Sequence, residues 1–184
     1  AYGAFPNSLF IHTAGSISID IFKNKAKFYG VLYPLQSFSI KRDLDFNNIP
    51  VFIEGNNDYT TSLLFCIATK ISKQPVMVLD SERRKKMHLA AVFASNFTNH
   101  CYACAKQLLE ESGVKFDALL PLIDETCKKV HELSPEDAQT GPAVRYDKAV
   151  LSMQEKMLQG AKLDIYRSIS RSIHETATKR TENK

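Results

Sequence analysis

Residues 49–79 read IPVFIEGNNDYTTSLLFCIATKISKQPVMVL, and the order of elements in that stretch decides the fold. Ile49 to Glu54 is short, β-branched or aromatic, and closed by Gly55-Asn56-Asn57, the pattern of a buried strand. Asp58 offers a helix N-cap, and Leu63, Leu64, Ile67, Ala68 and Ile71 then recur at helical spacing on one face. Pro75 to Leu79 is a second apolar strand. A strand, one helix and a strand in so short a stretch imply a parallel pair joined by a right-handed crossover.

Two more strands precede this unit. Ser8 to His12 ends at Thr13-Ala14-Gly15-Ser16, and Lys27 to Tyr33 is stopped by Pro34. After Asp80 the period becomes helical. One long helix is expected from Arg84 to about Ser112, ended by Gly113, and a second from Phe116 to His131 with Pro121 near its start. A third is expected from Pro142 to about Leu158 and a fourth from Leu163 to about Ala177, followed by a polar, frayed tail over 178–184. The organisation read from the chain is therefore α/β followed by all-α, with the division at residues 1–79 and 80–184.

Composition bounds the function. The 184 residues are 44% hydrophobic and 24% charged, the balance of a globular protein. A chain of this length buries about 70% of its unfolded surface and needs no metal or disulfide to hold a core. No apolar run reaches the roughly 18 residues a membrane helix requires, and the start, Ala1-Tyr2-Gly3-Ala4-Phe5-Pro6, lacks the basic and apolar parts of a signal peptide. A net charge of +4 is too mild to argue for nucleic acid, and Arg83-Arg84-Lys85-Lys86 reads as a solvated first helical turn. Cys101 and Cys104 have C-x-x-C spacing inside a helical segment, without the second ligand pair that zinc needs. They read as small buried thiols in a reducing, cytoplasmic compartment.

Four stretches carry polar residues that the fold does not obviously require. His12-Thr13-Ala14-Gly15-Ser16 lies at a strand's carboxyl end, where ligands gather in open α/β sheets, although a tight turn with a hydrogen-bonded histidine reads equally well. Gln36 and Ser37, after Pro34, can present an amide and a hydroxyl to a substrate or simply build a loop. His88, Val92, Asn96, Asn99 and His100 fall at i, i+4, i+8, i+11 and i+12, one stripe of a helix. Two histidines and two amides there are costly to bury without partners, so the stripe reads as ligand-facing or as an interhelix network. A metal is not expected, because no carboxylate shares the stripe. Finally, Gln139-Thr140-Gly141-Pro142 with Arg145 resembles a helix start suited to a carboxylate, or a capped start with a surface Arg145–Asp147 pair.

Taken together, HTAGS at 12–16, YPLQSFS at 33–39, FIEG at 52–55, HLAAVFASNFTNH at 88–100, LLPLIDET at 119–126 and QTGPAVRYD at 139–147 resemble one bacterial family. Its members pair a Rossmann-like domain with a C-terminal helical domain of unknown function and are regarded as NAD(P)-dependent oxidoreductases. The family is similar in turn to the group of ketopantoate reductase, pyrroline-5-carboxylate reductase and 6-phosphogluconate dehydrogenase. The resemblance implies a partial Rossmann-like parallel sheet followed by a helical domain like the C-terminal one of 6-phosphogluconate dehydrogenase. It implies NADP or NAD as cofactor, a small polar, carboxylated substrate held between the domains, and a homodimer formed by the helical domain. His12, Thr13 and Gly15 would lie near the nicotinamide, and His88, Asn96, Asn99 and His100 would line the cleft opposite Gln139, Thr140 and Arg145.

Several dehydrogenases of that group carry a lysine four residues before an asparagine on the first interdomain helix. Here Asn96 fits but position 92 is valine, so His88 or His100 is the expected general acid, with Asn96 beside it. The family's glycine-rich loop precedes the HTAGS strand, whereas the seven glycines of this chain are scattered singly. The chain is accordingly expected to lack the N-terminal half of the domain. The alternative to an oxidoreductase is a non-catalytic dimerising or ligand-binding module, and a metal-dependent hydrolase stands third.

Overall fold

The computed structural model describes residues 7–182. Residues 1–6 and 183–184, on which the readings of the N-terminus and of the end of the tail fall, lie outside the described residues. The chain forms two compact units, one up to Cys101 and one from Tyr102 onward. The expected division at 79–80 marks the place where the strands end.

In the first unit, β1 (Leu9–His12), β2 (Phe28–Pro34), β3 (Val51–Gly55) and β4 (Val76–Val78) form one sheet in sequence order. β3 and β4 pair in parallel across α1 (Asp58–Ile71), as the strand–helix–strand order requires, and β1 and β2 are parallel too. β2 and β3 are antiparallel, so the sheet is mixed. The segment between Pro34 and Val51, with a single 3-10 turn at Phe46–Asn48, brings the chain back antiparallel, whereas the β1–β2 connection, with a single 3-10 segment at Ile19–Phe22, crosses over to a parallel strand.

The cap of α1 is Asn57, whose side chain accepts the Thr60 N–H at 2.9 Å, and not the expected Asp58. Leu64 and Ala68 of α1 are buried against Leu32, Val51 and Ile53 on one face of the sheet. Because side chains alternate along a strand, Val31, Tyr33 and Phe52 emerge on the opposite face. There they pack with Ile19 and with Met87 of α2 (Ser81–Ala91).

The long helix after the sheet comes in three parts: α2, a π-helical turn at Val92–Phe97, and α3 (Thr98–Glu111), with Gly113 beyond it at φ +71°. The basic block does not behave as one solvated turn. Arg83 and Lys85 form exposed pairs with Asp80 and Glu82, but Arg84 is only 1% exposed. The expected buried thiols are corrected as well: Cys101 is exposed and Cys104 half-buried on α3.

The second unit adds α4 (Leu120–Glu132), α5 (Pro135–Ala138), α6 (Pro142–Arg145), α7 (Lys148–Glu155) and α8 (Gly160–Glu182). The helix expected from Pro142 to Leu158 is broken. Tyr146 takes a left-handed conformation (φ 52°, ψ 45°), its ring stacks on His174 at 4.0 Å, and Asp147 caps a fresh helix by accepting the Val150 N–H. α8 outruns its expected end at Ala177, and Arg180 in its last turn pairs with Asp137 at 2.5 Å.

Leu64 is fully buried whereas its neighbour Leu63 is 36% exposed. Leu64→Ala should destabilise the first unit by about 2–5 kcal/mol, and Leu63→Ala by under ~1 kcal/mol, in urea unfolding followed by circular dichroism.

Candidate functional site

The parallel pairing of β1 and β2 sets His12 opposite Val31, two residues before Tyr33, at the carboxyl end of both strands. The Ala14 N–H donates to His12 Nδ1 at 3.2 Å, so that nitrogen carries no proton and Nε2 holds it. The His12 ring lies 5.8 Å from that of Phe22, and Nε2 is buried without a hydrogen bond. Burial, and then the Arg84 charge, hold the imidazole below its ordinary value of 6.5, against the opposing pull of the Ser18 backbone and of Glu54. His12 is therefore a neutral strut of the 13–18 turn.

That turn rests on His88. Gly15 is buried, and a Cβ built on it would lie 2.6 Å from His88 Nδ1, so only glycine permits the approach. On the same nitrogen His88 meets the Tyr33 hydroxyl at 3.0 Å, with the two rings edge to face at 5.9 Å. Among the described residues the phenol has no other hydrogen-bond partner, and burial raises its pKa above the usual 10.0. A buried, protonated phenol donates to Nδ1, which leaves neutral His88 with its proton on Nε2. Half-buried, with Nδ1 engaged by Tyr33 and Nε2 without a hydrogen bond among the described residues, His88 can present Nε2 to a ligand.

One helical turn earlier, Arg84 closes the other end of the loop. Its guanidinium pairs with the Glu54 carboxylate at the end of β3, donates to the Ile17 carbonyl at 2.6 Å and to Ser81 Oγ at 3.2 Å. Ser81 Oγ in turn accepts the Ile19 N–H at 3.1 Å and donates to Glu54 at 2.8 Å. The hydroxyl thus uses its one proton and both lone pairs.

The π turn alters the expected stripe. A π turn absorbs one extra residue, and Thr98 Oγ1 donates to the Phe93 carbonyl five residues back at 3.0 Å. At about 100° per α-helical residue, Asn96 and His100 then stand at effective separations of roughly seven and eleven from His88, nearly in line with it. Asn99 falls about a quarter turn aside. Asn96, Asn99 and His100 are exposed.

The remaining expected residues are placed as follows. Thr13, Gln36 and Ser37 are exposed, and Gln36 Oε1 accepts the Ser37 N–H at 2.8 Å. Gln139, Thr140 and Arg145 belong to the second unit and are exposed; Gln139 Nε2 donates to the Thr140 carbonyl at 3.0 Å. Gln139 also lines a cleft of about 650 Å³ with Val144, Ile173 and the Asp137–Arg180 pair. At four residues α6 is too short to carry a helix dipole. Among the described residues no three histidine, cysteine, aspartate or glutamate side chains converge as metal ligands, and no helix is long and apolar enough to cross a membrane.

Tyr33, Glu54, Ser81 and Arg84 were not singled out from sequence. Two signals pointed to them: the strand alternation that sends Tyr33 to the same face as Val31, and the i, i+4 spacing of Arg84 and His88.

Two outcomes follow from this geometry. Gly15→Ala should push the imidazole aside and break the Tyr33–His88 bond, which would be seen as loss of the single His88 tautomer in nitrogen spectra of labelled protein. Because folding lowers the His12 pKa, the unfolded chain binds the proton more readily below pH 6.5, so stability should fall as pH drops through that region. His12→Asn keeps an acceptor for the Ala14 N–H and removes the titration, and its urea midpoint should vary less between pH 7 and ~5 than that of the parent.

Comparison with known proteins places this geometry. Residues 49–173 match a family model described as a domain of unknown function (DUF2520). A Bacteroides fragilis crystal structure, named as a "putative NADP oxidoreductase", is 49% identical with a TM-score of 0.88, covering 92% of this chain and 66% of that one. A Thermotoga maritima protein is 26% identical with a TM-score of 0.73, covering 94% of this chain and 70% of its own. The chain thus spans just under two thirds of the Bacteroides protein. No curated protein matches it. With the family model covering residues 49–173 and the Bacteroides structure 49% identical, the chain belongs to the family of this domain of unknown function, with a Rossmann-like sheet followed by a helical region.

Proposed function

We propose that the chain serves an NADP-type oxidoreductase that transfers hydride to or from a small polar, carboxylated substrate, with His88 as the general acid. The observation that carries this reading is the seat of His88: Nδ1 is held by Tyr33, Gly15 lies against the ring, and among the described residues Nε2 has no hydrogen bond, at the carboxyl ends of β1 and β2. The Bacteroides relative supports the cofactor class.

The residues fit one end of a dinucleotide and not the other. The turn 13–17 and the strand ends beside it offer Thr13, Gly15 and the edge of His12 to a planar ring. The room that Gly15 leaves is filled by His88, and among the described residues no glycine belongs to a clustered phosphate-cradling loop. Bound there, the dinucleotide would supply the hydride.

The protein's part is the proton. In reduction, a carbonyl carbon gains hydride while its oxygen takes the Nε2 proton of the His88 imidazolium, giving an alcohol. The ring would be left neutral with its proton on Nδ1 against the Tyr33 oxygen, and the resting tautomer, Nε2–H with the phenol donating to Nδ1, would reform by proton exchange with water. Tyr33 does not supply the proton itself, because burial holds its phenol protonated. Asn96 and His100, in line with His88 beyond the π turn, would face the same ligand. Gln36, Ser37, Asn99, Gln139, Thr140 and Arg145 would bind the substrate's polar groups.

The second unit would pair two copies. α4 exposes Leu122 at 62% and Val130 at 48%, about a quarter turn apart around the helix, which suits a helical dimer face. The free cysteines suit the reducing cytoplasm.

The test is calorimetric titration of NADPH and then NADH into the full-length protein, followed by consumption of the reduced cofactor with a panel of 2-oxo and imino acids. Binding and turnover are expected. His88→Gln should lower kcat about 10²–10⁴-fold while leaving cofactor affinity intact. Absence of binding by either cofactor would favour the non-catalytic, dimerising module.

A further inference from the structure

We propose that Arg84 is the positioning residue of this site: by clamping the 13–19 turn to α2 and β3 it holds Gly15 against His88 and so fixes which imidazole nitrogen faces the ligand. This deepens the reading of His88 as the acid and rests on it only for the catalytic consequence.

The clamp is visible in the hydrogen bonds. The turn between β1 and the 3-10 segment Ile19–Phe22 has two bonds to the rest of the unit through α2: the Ile17 carbonyl to Arg84, and the Ile19 N–H to Ser81. Both anchors belong to one network with Glu54. The Ala14 N–H bond to His12 shapes the turn from within but does not tie it to α2. Gly15 sits between the His12 strut and the Arg84 anchor. Its backbone bounds the Nδ1 edge of the imidazole, leaving that nitrogen the Tyr33 hydroxyl as its partner.

Arg84 and His88 are one turn apart on α2. The guanidinium therefore holds the loop from the same helix face that carries the imidazole, so loop and ring keep a common reference. A lysine could not make these bonds together, because its single ammonium cannot span Glu54, Ser81 and Ile17 in the forked geometry a guanidinium offers. The surrounding burial, with Arg84 at 1% exposure, keeps water from substituting for the lost contacts.

The test needs no substrate. Nitrogen spectra of the full-length protein with labelled imidazoles should show neutral His88 as one tautomer, protonated on Nε2. The double variant Arg84→Met with Glu54→Leu removes both charges together, so neither is stranded in the interior. It should retain the parent's circular dichroism while His88 becomes a mixture of tautomers, with kcat falling about a hundredfold and KM little changed. Should it not fold, Ser81→Ala carries the comparison: it removes the Ile19 anchor and one Arg84 partner, and a partial shift toward the mixture is expected. A mixed tautomer in the parent, or a folded variant that keeps the single tautomer, overturns the assignment. If His88→Gln leaves turnover intact, the acid reading fails, while the tautomer comparison still decides the role of Arg84.

Discussion

A single buried charge organises the first unit. Arg84 is held in the interior by an ion pair and hydrogen bonds to a strand end, a helix start and a loop carbonyl. Burying a guanidinium costs several kcal/mol; here the terminal nitrogens are met while Nε–H has no partner among the described residues, and removing one partner of such a pair typically costs about 3–5 kcal/mol. The side chain is therefore tolerated only where β3, α2 and the 13–19 turn meet it simultaneously. That requirement ties together segments far apart in sequence: Glu54 is 30 residues from Arg84 and Ile17 is 67. The apolar clusters on the two faces of the sheet supply the bulk of the burial, but they are indifferent to small slips of a loop. The network is not, since a hydrogen bond is lost within a fraction of an ångström.

The same face gathers the chemistry. His12, Tyr33 and His88 lie on the side of the sheet away from α1, the two imidazoles each accepting at Nδ1, one from a backbone N–H and one from the phenol. His12 is kept neutral by burial and by the nearby guanidinium, Tyr33 is kept protonated by burial, and His88 has one nitrogen occupied. Three titratable rings in close quarters would ordinarily exchange protons freely. Here environment separates their roles, and the guanidinium that clamps the loop also discourages a second positive charge on His12.

How much of this could be read from sequence follows from the range of the forces involved. The β3–α1–β4 unit was legible because strand length, helical period and turn residues are local signals, all contained in residues 49–79. The turn at 12–16 and the histidine at 88 were legible as polar residues in apolar surroundings. Their contact was not, because what brings Gly15 onto His88 is a backbone approach, and glycine leaves no side-chain signal. The antiparallel β2–β3 pairing was hidden because the β1–β2 and β2–β3 connections look alike, each with only a 3-10 segment, yet one pair is parallel and the other antiparallel. Arg84 was misread with its neighbours, since charge alone does not tell a guanidinium turned inward from the solvated Arg83 beside it. In the second unit the break at Tyr146 was hidden for a related reason: a left-handed tyrosine is stabilised by a ring, His174, 28 residues further on.

The π turn at Val92–Phe97 makes the long helix a two-part object whose halves are phased by one residue. Deleting a residue within it would let the backbone relax to uninterrupted α-helix at little local cost, and the sequence would look almost unchanged. Because an α-helix needs one residue fewer to cover the same turn, Asn96-side and His100-side groups would keep their alignment with His88 through such a deletion. Regularising the turn without a deletion would instead swing His100 about a third of a turn away. Length variation at this point is thus silent for the stripe, whereas a change that merely favours ideal helix is not, and the segment acts as a phase adjuster between a histidine anchored to the sheet and the side chains that follow it.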